Sequence, residues 1–127
     1  PDAVAYAQAT LPSAVLYQGD CRDLPTSITP HDVVLADAVL MYVEPRDIEQ
    51  TLAGLDRVAR KGIVLCEWFD HHRTGRVKDG HWARNYPKIL TRLGYTVERR
   101  KLSRADWPTA ESWVRNGEIF IARKSNI

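Results

Sequence analysis

Asp37 closes a run of apolar and β-branched residues, Val33-Val34-Leu35-Ala36, and is followed by Ala38 and, four residues further, by Tyr42. An apolar run that stops at a lone carboxylate reads as a strand buried on both faces that delivers Asp37 to its C-terminal end. In open α/β sheets that end is where ligands bind. A second carboxylate, Asp20, follows Gly19 in the polar turn Gly19-Asp20-Cys21-Arg22-Asp23. It can accept a hydrogen bond from a ligand, or serve only the backbone of its own turn. Asp37 has the same two readings: ligand acceptor, or cap of the segment that begins at Val39. Glu67, Asp70, His71, His72 and His81 form a third group, of residue types that bind first-row metals. Their spacing fits no helical HExxH pattern, and adjacent His71 and His72 do not readily face one ion from an extended segment. No metal site is expected. The chain also lacks a nucleophile elbow and the phosphate-binding GxxxxGK[ST] pattern.

The elements that must position these residues follow from periodicity and punctuation. Pro1-Asp2, then Val4, Ala7 and Leu11, suggest a helix already in its first turn at residue 1. Ala14-Val15-Leu16-Tyr17-Gln18 reads as a short strand stopped by Gly19, and residues 32–37 as the next one. Pro45 opens a helix whose apolar stripe is Ile48, Leu52, Leu55 and Ala59, with Gly62 as its C-cap. Ile63 to Trp68 is a third strand, so strand, helix and strand make a parallel crossover unit. Residues 70–83, rich in His and Arg and punctuated by Gly75 and Gly80, read as a long loop. Tyr86, Ile89, Leu90 and Leu93 mark a helix closed by Gly94, and residues 95–99 and 118–122 read as two more strands. Between them Trp107 and Trp113 act as anchors, and Asn116-Gly117 is a turn signal.

Composition narrows the function classes. The 127 residues are 44% hydrophobic and 27% charged, the profile of one globular domain rather than a disordered or fibrous chain. A net charge of +2, with scattered basic residues, does not favour a nucleic-acid partner. No apolar run approaches the ~20 residues of a membrane span and no signal-peptide pattern opens the chain, so a cytoplasmic protein without membrane association is expected. Cys21 and Cys66 form neither a disulfide framework nor a CxxC pair and read as reduced thiols.

Three stretches together resemble a known family. Leu16-Tyr17-Gln18-Gly19-Asp20-Cys21-Arg22-Asp23-Leu24-Pro25, then residues 31–43, then Leu55 to Leu65, look like the middle and later motifs of class I S-adenosylmethionine-dependent methyltransferases, in the family's order and spacing. The resemblance implies an α/β fold: a partial Rossmann-like methyltransferase sheet, mostly parallel with an antiparallel last strand and helices on both faces. It implies S-adenosylmethionine as cofactor, with Asp20 accepting from the adenine amino group and the Cys21 backbone amide donating to a ring nitrogen. Asp37 and Ala38 would lie near the methionine end, and Tyr42 would wall the pocket. Trp68 and Trp82, with His71 and His72 as candidate general bases, would meet the methyl acceptor, expected to be a small molecule. Packing and capping roles for the same residues stay open.

The family's glycine-rich loop and the acidic residue that holds the ribose have no counterpart in residues 1–127. The expectation is therefore a single truncated domain whose sheet has a gap between the strand at 14–18 and the strand at 32–37. A homodimer, or a missing N-terminal half, would fill that gap. The alternative function is a non-catalytic α/β binding or interaction module that retains the half-sheet.

Overall fold

The computed structural model describes residues 2–71, 75–76 and 80–125. Helix α1, Asp2–Thr10, comes first, and none of its residues is buried. Val4 and Ala7 are half-buried while Tyr6 and Leu11 face outward, so its sequence stripe has only a shallow seat. Residues 14–18 do not form the expected strand. They have no regular structure and no ladder partner among the described residues, with Val15 78% exposed. Alternating apolar residues favour a strand only where another edge satisfies their backbone, and none lies beside them.

Strand β1, His31–Asp37, is followed by a 3-10 turn at Leu40–Tyr42, helix α2 at Ile48–Val58 and strand β2 at Ala59–Trp68. β1 and β2 pair in parallel, from His31 opposite Ala59 to Asp37 opposite Cys66, which completes the expected crossover. The helix ends at Val58, four residues before Gly62. Gly62 is not its cap but an interior residue of β2, because a Cβ there would stand 2.5 Å from the Ala122 carbonyl oxygen of the neighbouring strand.

Residues 70–83 hold two short strands, β3 at Gly75–Arg76 and β4 at Trp82–Ala83, which pair antiparallel. Helix α3, Tyr86–Arg92, has Asn85 as its N-cap, accepting from the Lys88 amide, and ends before Gly94 at φ 91°. Strand β5, Tyr95–Lys101, leads through a connection to helix α4, Glu111–Asn116, and strand β6, Gly117–Lys124. Asn116-Gly117 is thus a helix-to-strand junction and not a turn between strands. Gly117 is packed so closely that a Cβ would meet Trp113 and Leu102.

The sheet order is β1-β2-β6-β5, with β6 antiparallel to both neighbours. Ala36, Ile63, Leu65, Phe120 and Ala122 pack with Ile48, Leu52 and Leu55 of α2 and with Tyr86 and Leu90 of α3. β1 is an edge strand, and its Val33 and Leu35 are 56% and 68% exposed. It is therefore buried on one face, not two, since each alternate residue points away from the covered side. No helix of the described residues is long and apolar enough to cross a membrane.

Candidate functional site

Past Asp37 the chain turns sharply. Ala38 adopts φ 53°, a left-handed conformation unusual for a residue with a side chain, and its amide donates to the Cys66 carbonyl at 2.9 Å. Such positions persist where their surroundings over-determine them, and they concentrate at functional sites. The surroundings here are two buried ions. Glu67, near the end of β2, accepts the Val39 and Leu40 amides on Oε1 at 2.9 and 2.8 Å and the Met41 amide on Oε2 at 3.1 Å. Arg84, just past β4, donates to the Leu40 carbonyl at 2.6 Å, to the Val43 carbonyl, and to the Tyr86 hydroxyl at 3.3 Å. Both side chains belong to fully buried residues. Burial pushes the Glu67 carboxyl up to about 7 although the three amides pull it down, and the nearby charge of Asp37 adds to the rise.

Opposite this segment lies the turn at Asp20. The Asp20 carboxylate accepts the Arg22 amide at 2.9 Å and forks with the Arg22 guanidinium, whose closest contact is 2.5 Å. Those bonds hold the Asp20 carboxyl down at about 2. Helix α2 pins the turn from below: Gln50 donates to the Arg22 carbonyl, and Arg57 donates to the carbonyls of Leu24 and Pro25, each at 3.2 Å. Cys21 is half-buried, and desolvation raises its thiol.

A cleft of about 550 Å³ separates the two segments, lined by Asp20, Cys21, Arg22, Ala38, Val39, Tyr42, Val43 and Glu44. It lies at the C-terminal end of β1. Four of the residues singled out in the sequence therefore share one cavity: Asp20, Cys21, Ala38 and Tyr42. Its volume is within the range of small-molecule sites, and it offers the Asp20 carboxylate, held by Arg22, and the exposed ring of Tyr42. Asp37 is exposed at the strand end and does not line it.

The other candidates lie elsewhere. Trp68 is buried, meets His81 at 5.3 Å and Trp113 at 5.9 Å between ring centroids, and its indole Nε1 has no hydrogen-bond partner among the described residues. Trp82 is half-buried in β4. His71 is exposed against Phe69 and near Arg99, in a separate depression of about 230 Å³. His72 lies outside the described residues. His81, read from the sequence only as a metal candidate, packs at right angles to Tyr42 with 4.7 Å between ring centroids and so adjoins the cleft. Arg22 and Arg84 were not singled out in the sequence. Arg22 had a local signal, two residues after Asp20, whereas the carbonyl partners of Arg84 are 41 and 44 residues away.

No protein-family model matches the chain, and no curated protein matches it in sequence. Solved structures do match. One is the Burkholderia thailandensis 1,6-didemethyltoxoflavin-N1-methyltransferase with bound 1,6-didemethyltoxoflavin and S-adenosylhomocysteine, at TM-score 0.72 and 13% identity over 99% of this chain and 57% of that one. An O-methyltransferase family protein from the same organism gives 0.71 and 12%, over 98% of this chain and 41% of that one. The magnesium protoporphyrin IX methyltransferase of Synechocystis with bound SAH gives 0.66 and 15%, over 96% of this chain and 59% of that one. The fold is thus that of these methyltransferases, and the chain spans between two fifths and three fifths of their lengths.

Proposed function

We propose that this chain forms the cofactor-facing part of an S-adenosylmethionine-dependent methyltransferase domain. The observation that carries this reading is the cleft at the end of β1 that gathers Asp20, Cys21, Ala38 and Tyr42. It is supported by the likeness of fold to proteins whose structures hold S-adenosylhomocysteine. The donor set suits an adenosine. The Asp20 carboxylate, shared with Arg22, accepts from the adenine amino group, and the Cys21 amide donates to the adjacent ring nitrogen. Tyr42 presents a ring to the other wall, and Asp37 adds negative charge at the strand end, where a sulfonium would be favoured. The cofactor supplies an electrophilic methyl group on a cationic sulfur. The protein's share is to align an acceptor with it and exclude water.

The acceptor, on this reading, is a small molecule placed beyond Tyr42, on the side of Trp68 and Trp82. Two similar structures carry names of small-molecule substrates, which supports that class. His81 takes the place beside the acceptor ahead of His71, because its ring meets a residue of the cleft wall. A neutral imidazole can remove the acceptor's proton near pH 7. We also propose that the open edge of β1 pairs with a further strand, supplied by a second copy or by sequence upstream of residue 1. A monodisperse monomer at micromolar concentration in sedimentation would exclude the second copy.

The test is calorimetric titration with S-adenosylhomocysteine of the wild type and of Asp20→Ala. Saturable binding that weakens by about tenfold or more in the variant, the loss of one charge-assisted hydrogen bond, supports the reading. Absence of binding by the folded wild type refutes it and favours a non-catalytic module.

A further inference from the structure

We propose that Glu67 and Arg84 are the positioning residues of the cleft: together they fix the 38–43 segment in the shape that receives the cofactor. This rests on the reading of the cleft given above. Neither side chain lines the cavity, yet between them they engage three amides and two carbonyls of the segment that does.

The amides of this segment are fully accounted for. Ala38 donates to Cys66, and Val39, Leu40 and Met41 donate to Glu67, while Tyr42 donates to the Val39 carbonyl at 3.2 Å and Val43 to the Leu40 carbonyl at 3.0 Å. The charges match the turn's polarity, with a carboxylate on its leading amides and a guanidinium on its carbonyls. Burying two ions is costly, and apolar replacements of similar volume commonly suit a core at least as well. Their value lies in conformational definition. With Glu67 and Arg84 in place, Ala38 is held left-handed and Tyr42 is presented 61% exposed to the cleft rather than folded into the core.

The groups near Glu67 set when the clamp is complete. Asp37 at the end of β1, Cys66 beside it on β2, Cys21 of the facing turn and Tyr86 of α3 interact with its charge, and Arg84 past β4 donates to the Tyr86 hydroxyl. Burial and Asp37 hold its carboxyl at about 7, so the ionised form that accepts all three amides prevails only above neutrality. Below it, one oxygen carries a proton and the clamp loses an acceptor.

The experiment is titration of the full chain with S-adenosylhomocysteine at pH 6 and pH 8, for the wild type, Glu67→Gln and Arg84→Lys. The wild type is expected to bind about tenfold more tightly at pH 8, the worth of one charge-assisted hydrogen bond. Glu67→Gln should bind about tenfold more weakly than wild type at pH 8 and lose the pH dependence. Arg84→Lys, which keeps the charge but cannot span both carbonyls, should bind more weakly with the pH dependence intact. It serves as the test if the glutamine variant does not fold. A merely structural Glu67 would lower the melting temperature without flattening the pH profile. Wild-type binding with variants that match it in affinity and slope overturns this inference alone; no binding by the folded wild type overturns the cofactor reading, and this inference with it.

Discussion

Glu67→Gln should change how stability depends on pH, by an amount set by the burial of one carboxyl. In the folded chain that carboxyl sits at about 7 against an ordinary value of 4.5. Between those values the folded state keeps a proton that the unfolded chain releases, so the wild type loses stability as pH rises through this window. The shift corresponds to about 3 kcal/mol, fully present below pH 4.5 and gone above pH 7. Glutamine has no proton to lose and is flat in this term. Asp20, Asp32 and Asp106, whose carboxyls are lowered by their partners, titrate alike in both proteins and cancel in the difference. The assay is urea unfolding of both proteins from pH 4.5 to 8. The stability difference should move in favour of glutamine by about 3 kcal/mol over that range. A difference that stays constant to within about 0.5 kcal/mol would refute the placement of an ionisable group in a dry site.

Other perturbations follow from the packing. Gly62→Ala forces a methyl group to within 2.5 Å of the Ala122 carbonyl oxygen and should cost about 2 kcal/mol, measurable as a lowered urea midpoint. Arg84→Met strips donors from the Leu40 and Val43 carbonyls inside the core, and about 3 kcal/mol of destabilisation is expected in the same assay. Gly94→Ala meets no steric neighbour but must adopt φ 91° at the end of α3, and about 1 kcal/mol should be lost in thermal unfolding.

Local pattern was enough for the elements that bury one face. The stripe Ile48, Leu52, Leu55 marks α2, and the apolar runs mark β1 and β2, because their periodicity is written in neighbouring residues. Partners distant in sequence decided the rest. Residues 14–18 have strand composition but no strand beside them, and composition does not record that. Gly62 uses the same letter for a helix cap and for a close approach of two backbones, and the approaching backbone, at Ala122, comes 60 residues later. In the site, the Asp20 turn and the Asp37-Ala38 strand end were legible as local punctuation. The clamp was not, since Glu67 reaches back 26 to 28 residues and Arg84 more than 40. A glutamate and an arginine in apolar surroundings were its only trace in the sequence.

The passage from α2 to β2 has no connecting loop, since the helix ends at Val58 and the strand begins at Ala59. The rotational phase of the helix is therefore geared to the pleat of the strand. A single residue added at this junction would have to be absorbed by one or the other. If the strand took it up, every side chain of β2, Glu67 included, would change sides of the sheet, and the carboxylate would leave the amides it holds. The shape of the cleft thus depends on the counting of residues some distance from it, and chain length at this junction is a determinant of the site in its own right.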